Sequence, residues 1–107
     1  MGRTMNDPTV WAPLNPQEFI RGDGKTFWRP IIEKRIGEYV ERLALTEIYD
    51  GSREGYVKDW RSFDFHNNSQ NAVVYRSKTR AERIAGRAAK RRNKAEFMSM
   101  EAVPYAS

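Results

Sequence analysis

The segment from Arg76 to Lys94 is the feature that most limits what this chain can form. It holds nine basic residues and one acid, Glu82, so its formal charge is +8, whereas residues 1–75 sum to −1. The net charge of +5 for all 107 residues therefore comes from one short stretch. A basic patch confined to one segment is typical of a polyanion site, most often a site for nucleic acid.

The same segment has the pattern of an amphipathic helix. Thr79 and Glu82 match the capping box, in which each side chain accepts a hydrogen bond from the other residue's backbone amide. At about 100° per residue, one narrow stripe is apolar and consists of Ala81, Ile84, Ala85, Ala88 and Ala95. The opposite face carries Arg80, Arg83, Arg87, Lys90 and Lys94. We predict a helix that Thr79 caps, with one apolar and one cationic face.

We expect this cationic surface to bind nucleic acid. The candidate residues are Arg76, Lys78, Arg80, Arg83, Arg87, Lys90, Arg91 and Lys94. The competing interpretation is a solvated helix face, but such a face normally mixes acids with bases, and Glu82 is assigned to the cap. Tyr75 and Phe97 flank the segment. Aromatic rings next to arginines suit single-stranded RNA, which favours RNA slightly over DNA, but the interpretation that we favour for these two rings is burial in the core.

In composition, the stretch Thr79–Phe97 resembles the arginine-rich helical RNA-binding peptides of lambdoid phage antitermination proteins. Arginines and alanines are mixed in it, and an aromatic residue stands near its end. The similarity covers about a fifth of the chain. Because it is a similarity of composition, no function or residue role is transferred from it.

The remaining sequence predicts a mainly α fold: a small helical domain with one short strand, an extended N-terminal arm and the basic C-terminal helix. Pro30 begins the strongest core helix, because large apolar residues then recur at helical spacing, namely Ile32, Ile36, Tyr39, Val40 and Leu43. A second apolar set fits either a short helix, which we favour, or a strand; it consists of Tyr56, Val57, Trp60 and Phe63. The best strand candidate is Ala72–Tyr75.

Four segments follow from these patterns. Residues 1–24 are expected to form an extended arm with a short helical turn, and residues 25–75 a small helical core. Residues 76–98 form the basic amphipathic helix, and residues 99–107 a tail. Trp11 is the one large aromatic residue between Pro8 and Pro13. We predict that it anchors the arm on a protein partner, and the sequence fits a frayed terminus equally well.

Catalysis is not expected. His66 is the only histidine and the chain has no cysteine, whereas zinc sites and metal nucleases need several converging ligands. The sequence also has no pair of acids whose spacing singles it out for hydrolytic chemistry. We therefore predict a non-enzymatic protein without a metal, a cofactor or a small-molecule substrate.

Location and partners follow from what the composition excludes. No apolar run approaches the ~20 residues that span a bilayer, and the N-terminal residues lack the apolar core of a signal peptide. Absence of cysteine fits a reducing compartment. We predict an intracellular protein, cytoplasmic or inside a particle, that is neither secreted nor bound to a membrane. Its expected partners are nucleic acid and a protein or large assembly.

Three functions remain open from the sequence. The first is a small nucleic-acid-binding protein that acts in a nucleoprotein assembly or as a regulator. The second is a structural subunit of a virion or another large complex, with the arm, the strand and the tail as protein contacts. The third is an inhibitor of a host nucleic-acid enzyme, with the basic face against an acidic groove.

Overall fold

In the computed structural model, the chain is mainly β. The structure describes residues 10–49, 51, 55–62 and 71–102, and within them it forms one sheet and one helix. The strands are β1 (Ala12–Ile20), β2 (Thr26–Ile36), β3 (Tyr39–Tyr49) and β4 (Tyr56–Ser62), and the helix is α1 (Lys78–Ala102). The sheet order is β1-β2-β3-β4, and each strand pairs antiparallel with its neighbours.

The prediction of a mainly α fold is wrong. The expected core helix from Pro30 is instead the end of β2, a tight turn and β3, because Ile36 pairs with Tyr39 and only Gly37 and Glu38 connect them. Gly37 has φ 63°, and a left-handed glycine at the first position of a two-residue connection is the pattern of a type II′ hairpin. The chain therefore reverses direction at Gly37 and Glu38, where a helix would have continued.

Other predicted elements also differ. In place of the short helical turn expected within residues 1–24, Asn15 and Pro16 lie inside β1, where the register shifts between Leu14 and Gln17; an edge-strand irregularity is a position that tolerates proline. The second apolar set lies on β4, with Phe63 outside the described residues. The predicted arm of residues 1–24 thus contains β1, and the described part of residues 25–75 contains β2, β3 and β4. The basic helix extends to Ala102, beyond the expected end at 98.

The core has two unequal parts, one on each face of the sheet. On the helix side, Ile32 and Leu43 form a cross-strand pair. They pack in one cluster with Trp11, Ala85, Ala88 and Ala89, and half-buried Trp60 contacts it. On the opposite face, Ile31 and Ala44 pack with Leu14. Ile36, expected in the core, is 47% exposed. Burial is therefore concentrated between the sheet and the helix.

The segment of residues 71–75 is inserted between β2 and β3, where the two strands separate. Their pairing begins at Ile31 and Ala44, next to Pro30, which has no amide proton to donate. Trp28 exchanges two backbone hydrogen bonds with Tyr75, of 2.7 and 2.8 Å. On the β3 side, the amide of Glu47 donates to the carbonyl of Asn71, and the amide of Val73 donates to the carbonyl of Leu45. The predicted strand Ala72–Tyr75 is thus present as two isolated bridges inside the chain's own sheet.

Arg29 crosses the same gap as a buried charge. It is 1% exposed; its Nε donates to the Leu45 carbonyl at 3.0 Å and its Nη2 to Thr46 Oγ1 at 2.8 Å. Burial lowers the pKa of Arg29 to about 10, which leaves the guanidinium protonated at neutral pH. Hydrogen bonds to the charged group offset its desolvation and hold β3 at a fixed distance from β2.

The helix is capped by Ser77, so the predicted cap at Thr79 is wrong. Ser77 Oγ accepts from the amide of Arg80 at 3.1 Å, and the Ser77 carbonyl accepts from the amide of Ala81. Thr79 lies within the first turn and is exposed. Two hydroxyl residues stand close together here, and the hydroxyl nearer to the inserted segment satisfies the free amide of Arg80.

Replacement of Ser77 by alanine should cost about 1 kcal/mol of helix stability, because the Arg80 amide loses its acceptor. Hydrogen exchange at the amides of residues 80 and 81 should accelerate. Thr79→Ala is the matched control and should slow exchange slightly or leave it unchanged, because alanine has the higher helix propensity. Faster exchange in the Thr79 variant alone would contradict the Ser77 cap.

Candidate nucleic-acid interface

The helix rests on the sheet through small side chains. Ala81, Ala85, Ala88 and Ala89 are buried against β1 and β2. Of the predicted apolar stripe, Ile84 is half-buried and Ala95 is exposed, while Ala89 joins the buried face. Methyl groups allow close approach of the helix but remove little apolar area from water, so they provide only part of the attachment.

Trp11 provides the other part. Its amide donates to Asn93 Oδ1 at 2.7 Å, and its carbonyl accepts from Asn93 Nδ2 at 2.9 Å. Its indole Nε1 donates to Glu96 Oε2 at 2.9 Å, and the residue is 4% exposed. Both backbone polar groups and the ring N–H of Trp11 are therefore satisfied by the helix. The ring lies inside the protein, so the structure leaves it no surface for the predicted contact with a partner.

Glu96 is the charged residue in this contact between Trp11 and the helix. Its Oε1 accepts from Lys34 Nζ at 2.8 Å, while the Lys34 ammonium and the Arg92 guanidinium lie over the Trp11 ring at 5.6 and 5.2 Å. Burial by itself raises the pKa of Glu96, but hydrogen bonds from Lys34 and Trp11 and the charges of Lys34 and Arg92 outweigh it. The pKa is consequently held below its ordinary value of 4.5.

All eight predicted nucleic-acid-binding residues are exposed. Six of them form a strip on the side of α1 that faces away from the sheet, which we call the cationic strip: Arg80, Arg83, Arg87, Lys90, Arg91 and Lys94. From Arg80 to Lys94 the strip is ~21 Å long, at 1.5 Å per residue. Within the described residues no carboxylate lies among these six, because Glu82 projects from the flank of the helix. The cationic strip thus presents one sign of charge from Arg80 to Lys94.

Three cations at the start of the helix lie over aromatic rings. Arg76 is 5.2 Å from the Phe27 ring centroid, Lys78 is 5.1 Å from that of Trp28, and Arg80 is 4.9 Å from that of Tyr75. Two further cations contact the same rings, Arg21 at Phe27 and Lys58 at Tyr75. The sequence predicted Tyr75 but not the rings of Phe27 and Trp28. These two belong to β2, and the pairing of Trp28 with Tyr75 brings them to the helix start.

The aromatic residues that flank the helix have different environments. Tyr75 is half-buried beside its cations, whereas Phe97 is 58% exposed. The alternative that both rings are buried in the core is therefore wrong for Phe97.

A groove runs between the helix flank and Trp60 of β4; we call it the Trp60 groove. Its larger part has a volume of about 260 Å³ and is lined by Trp60, Ala88, Arg91, Arg92 and Ala95. The adjoining part, of about 170 Å³, is lined by Trp60, Ile84, Arg87, Ala88 and Arg91. Arg87 and Arg91 belong both to this groove and to the cationic strip. Sequence periodicity placed Trp60 in the core and gave no indication of the groove.

The described residues show no centre of another kind. Among them, no three acidic or histidine side chains lie close enough together to hold a metal ion. His66, the one residue considered for catalysis, is outside the described residues. In the part of the chain that the structure describes, α1 is too polar to cross a membrane.

Comparison with known proteins yields no relative: no protein-family model, curated protein or solved structure matches this chain. Function must therefore be inferred from the geometry described above.

Trp11→Ala should lower the free energy of unfolding by about 3–5 kcal/mol, because it empties a core position and removes the indole N–H that donates to Glu96, while the bonds of Asn93 to the backbone of residue 11 can remain. Urea denaturation followed by far-ultraviolet circular dichroism measures this loss. Tyr39→Ala is the control; its side chain is 64% exposed, and the change should stay near ~0.5 kcal/mol. Equal losses in the two variants would contradict the central position of Trp11.

Glu96→Gln should change the dependence of stability on pH. Because the folded-state pKa is below the ordinary 4.5, the carboxylate stabilises the fold fully above that pH and loses its effect as pH falls through the folded pKa. The variant should therefore have a lower thermal midpoint than the parent near neutrality, and the gap should close on acidification below 4.5. In a Lys34→Met background the gap should be smaller throughout. A gap that persists unchanged at low pH would contradict this role.

Proposed function

We propose that this protein is a small non-enzymatic nucleic-acid-binding protein that contacts phosphates through the cationic strip. The observation that carries the proposal is the orientation of the helix. Its alanine face is buried, so Arg83, Arg87 and Lys90 face solvent together. Such a row is complementary to the regularly spaced charges of a nucleic-acid backbone.

The energetics of the helix support a polyanion ligand. Arg83 and Arg87, Arg87 and Arg91, and Lys90 and Lys94 are like-charge pairs four residues apart. Each such pair destabilises a helix by about 0.2–0.5 kcal/mol. A bound polyanion would turn this repulsion into attraction and would release counterions. Because the sheet already holds the helix, the ligand would meet a preformed surface.

Within this proposal, RNA is slightly favoured over DNA. The support is the set of aromatic rings beside the cations at the helix start, Phe27, Trp28 and Tyr75, since unpaired RNA bases stack on rings and guanidinium planes. An intracellular location, in the cytoplasm or a particle, belongs to the same proposal because the ligand is found there.

A protein partner or a larger nucleoprotein assembly is also part of the proposal. The support is a set of exposed large apolar side chains, Ile20, Ile36, Tyr39, Tyr49, Tyr56 and Phe97. The structural-subunit and enzyme-inhibitor functions stay hypotheses, since no described contact distinguishes them.

Replacement of Arg83, Arg87 and Lys90 together by glutamate should abolish binding of nucleic acid and leave the far-ultraviolet circular dichroism unchanged. The parent protein should bind with a log–log salt slope of about −3 to −4, as expected for four or five phosphate contacts. Fluorescence anisotropy with labelled RNA and DNA, at several salt concentrations, measures both quantities.

The matched control exchanges Lys25, Arg35 and Arg61 for glutamate. These residues are exposed and lie on the sheet or its turns, and both triple variants shift the net charge from +5 by three changes of −2, to −1. The control should keep most of the affinity. If both triple variants lose affinity equally, net charge rather than the cationic strip is responsible, and the proposed surface is wrong.

A further inference from the structure

The Trp60 groove combines a flat aromatic wall with two arginines of the cationic strip. Trp60 is half-buried and packs against the main core cluster, so its ring is held in place from behind. Its amide donates to Asp59 Oδ1 at 2.8 Å, which fixes the backbone at the same point. Besides Arg91, the rest of the lining of its larger part consists of the methyl groups of Ala88 and Ala95 and the side chain of Arg92. A fixed aromatic side chain that lines an open, largely apolar groove suits a flat, rigid ligand.

The arginines define the charge of that ligand. Arg87 and Arg91 are one helical turn apart and line the same part of the groove. Both guanidinium groups also belong to the phosphate-binding surface proposed above. A ligand in the groove should therefore have a flat apolar ring with anionic groups next to it, and a nucleotide unit of a polynucleotide has this combination.

The geometry also selects between paired and unpaired strands. In a duplex, each base is covered on both faces by its neighbours, and its rings are available only after extrusion from the stack. An unpaired strand can turn one base away from its backbone at little cost. Base–aromatic stacking is independent of sequence, because every base has a π face.

We propose that a base of a single-stranded nucleic acid stacks on Trp60 while the adjacent phosphates bind Arg87 and Arg91. This inference rests on the proposed function, since it adds a second contact beside the same cationic strip. It further assigns the substrate class: the protein prefers unpaired over duplex nucleic acid and does so without sequence specificity at this position.

Trp60→Leu tests the inference, because leucine keeps an apolar side chain at the core but removes the stacking surface. Affinity for an unstructured oligouridylate should fall about 5–150-fold, the range that corresponds to ~1–3 kcal/mol per stacked base. Affinity for a duplex of equal length should not change. Tyr49→Leu is the control: it removes a 67% exposed ring outside the groove and should leave both affinities unchanged. Thermal denaturation verifies that the variants are folded.

A second measurement uses the unaltered protein and is independent of the folding of any variant. An oligonucleotide substituted with 5-iodouracil forms covalent links on irradiation to aromatic rings that stack on it, and mass spectrometry should locate the link at Trp60. Unchanged single-strand affinity in a folded Trp60→Leu variant, or links confined to other aromatic residues, would overturn the inference. Displacement of the oligonucleotide by polyglutamate without any link at Trp60 would assign the groove to an acidic protein instead.

The outcomes separate this inference from the proposed function. If the glutamate triple variant loses all binding while Trp60→Leu keeps it, the phosphate surface stands and the base site is rejected. If the parent protein binds neither single-stranded nor duplex nucleic acid, both proposals are rejected.

Discussion

The attachment of Trp11 to the helix is the interaction on which the rest of the structure depends. Among the described side chains of the helix, those fully buried against the sheet are alanine methyl groups, and such a face is weakly held by apolar area alone. Trp11 adds a large ring together with three hydrogen bonds to Asn93 and Glu96. These bonds are directional, so they determine the rotation of the helix about its axis. That rotation buries the alanines and turns the cationic strip outward.

A helix with this charge pattern is poorly suited to exist alone. Its cations repel one another, and Gly86 costs roughly 1 kcal/mol relative to alanine in a helix interior. Most helices in proteins are stable through packing rather than propensity, and here β1 and β2 supply that packing. The sheet therefore acts as a support that keeps a repulsive surface assembled. A ligand that neutralises the surface need not also fold it, which lowers the entropic cost of binding.

The sequence revealed the helix better than the sheet, for identifiable reasons. The alanine stripe and the cation row have one period over many residues, whereas Arg29, Pro30, Ile31 and Ile32 are all buried and erase the alternation of β2. The apolar pattern predicted a helix because side chains four apart share a face in a strand as well as in a helix. Such pairs are Ile32 with Ile36 and Tyr39 with Leu43. The decisive feature is Gly37, because its positive φ allows a two-residue turn between β2 and β3.

Contacts between distant parts of the chain could not be predicted from local sequence patterns. Neither the contact of Trp11 with Asn93 nor the insertion of residues 71–75 can be recognised from spacing, because each joins segments far apart in the chain. The same holds for the Trp60 groove, whose walls come from β4 and α1. The cationic residues of the site were predictable because they are consecutive on one helix; the aromatic surfaces beside them were not.

The hydrogen bonds between Trp11 and Asn93 join residues 82 positions apart, and this separation has a consequence for synthesis and folding. Contacts between distant residues require loop closure before they stabilise anything, so folds rich in them form slowly. On the ribosome, Trp11 and β1 emerge long before the helix that covers them. During that interval an apolar ring and an open strand edge are accessible to other chains. The basic helix, made after the sheet that it covers, therefore also ends the period in which this apolar ring is accessible to other chains.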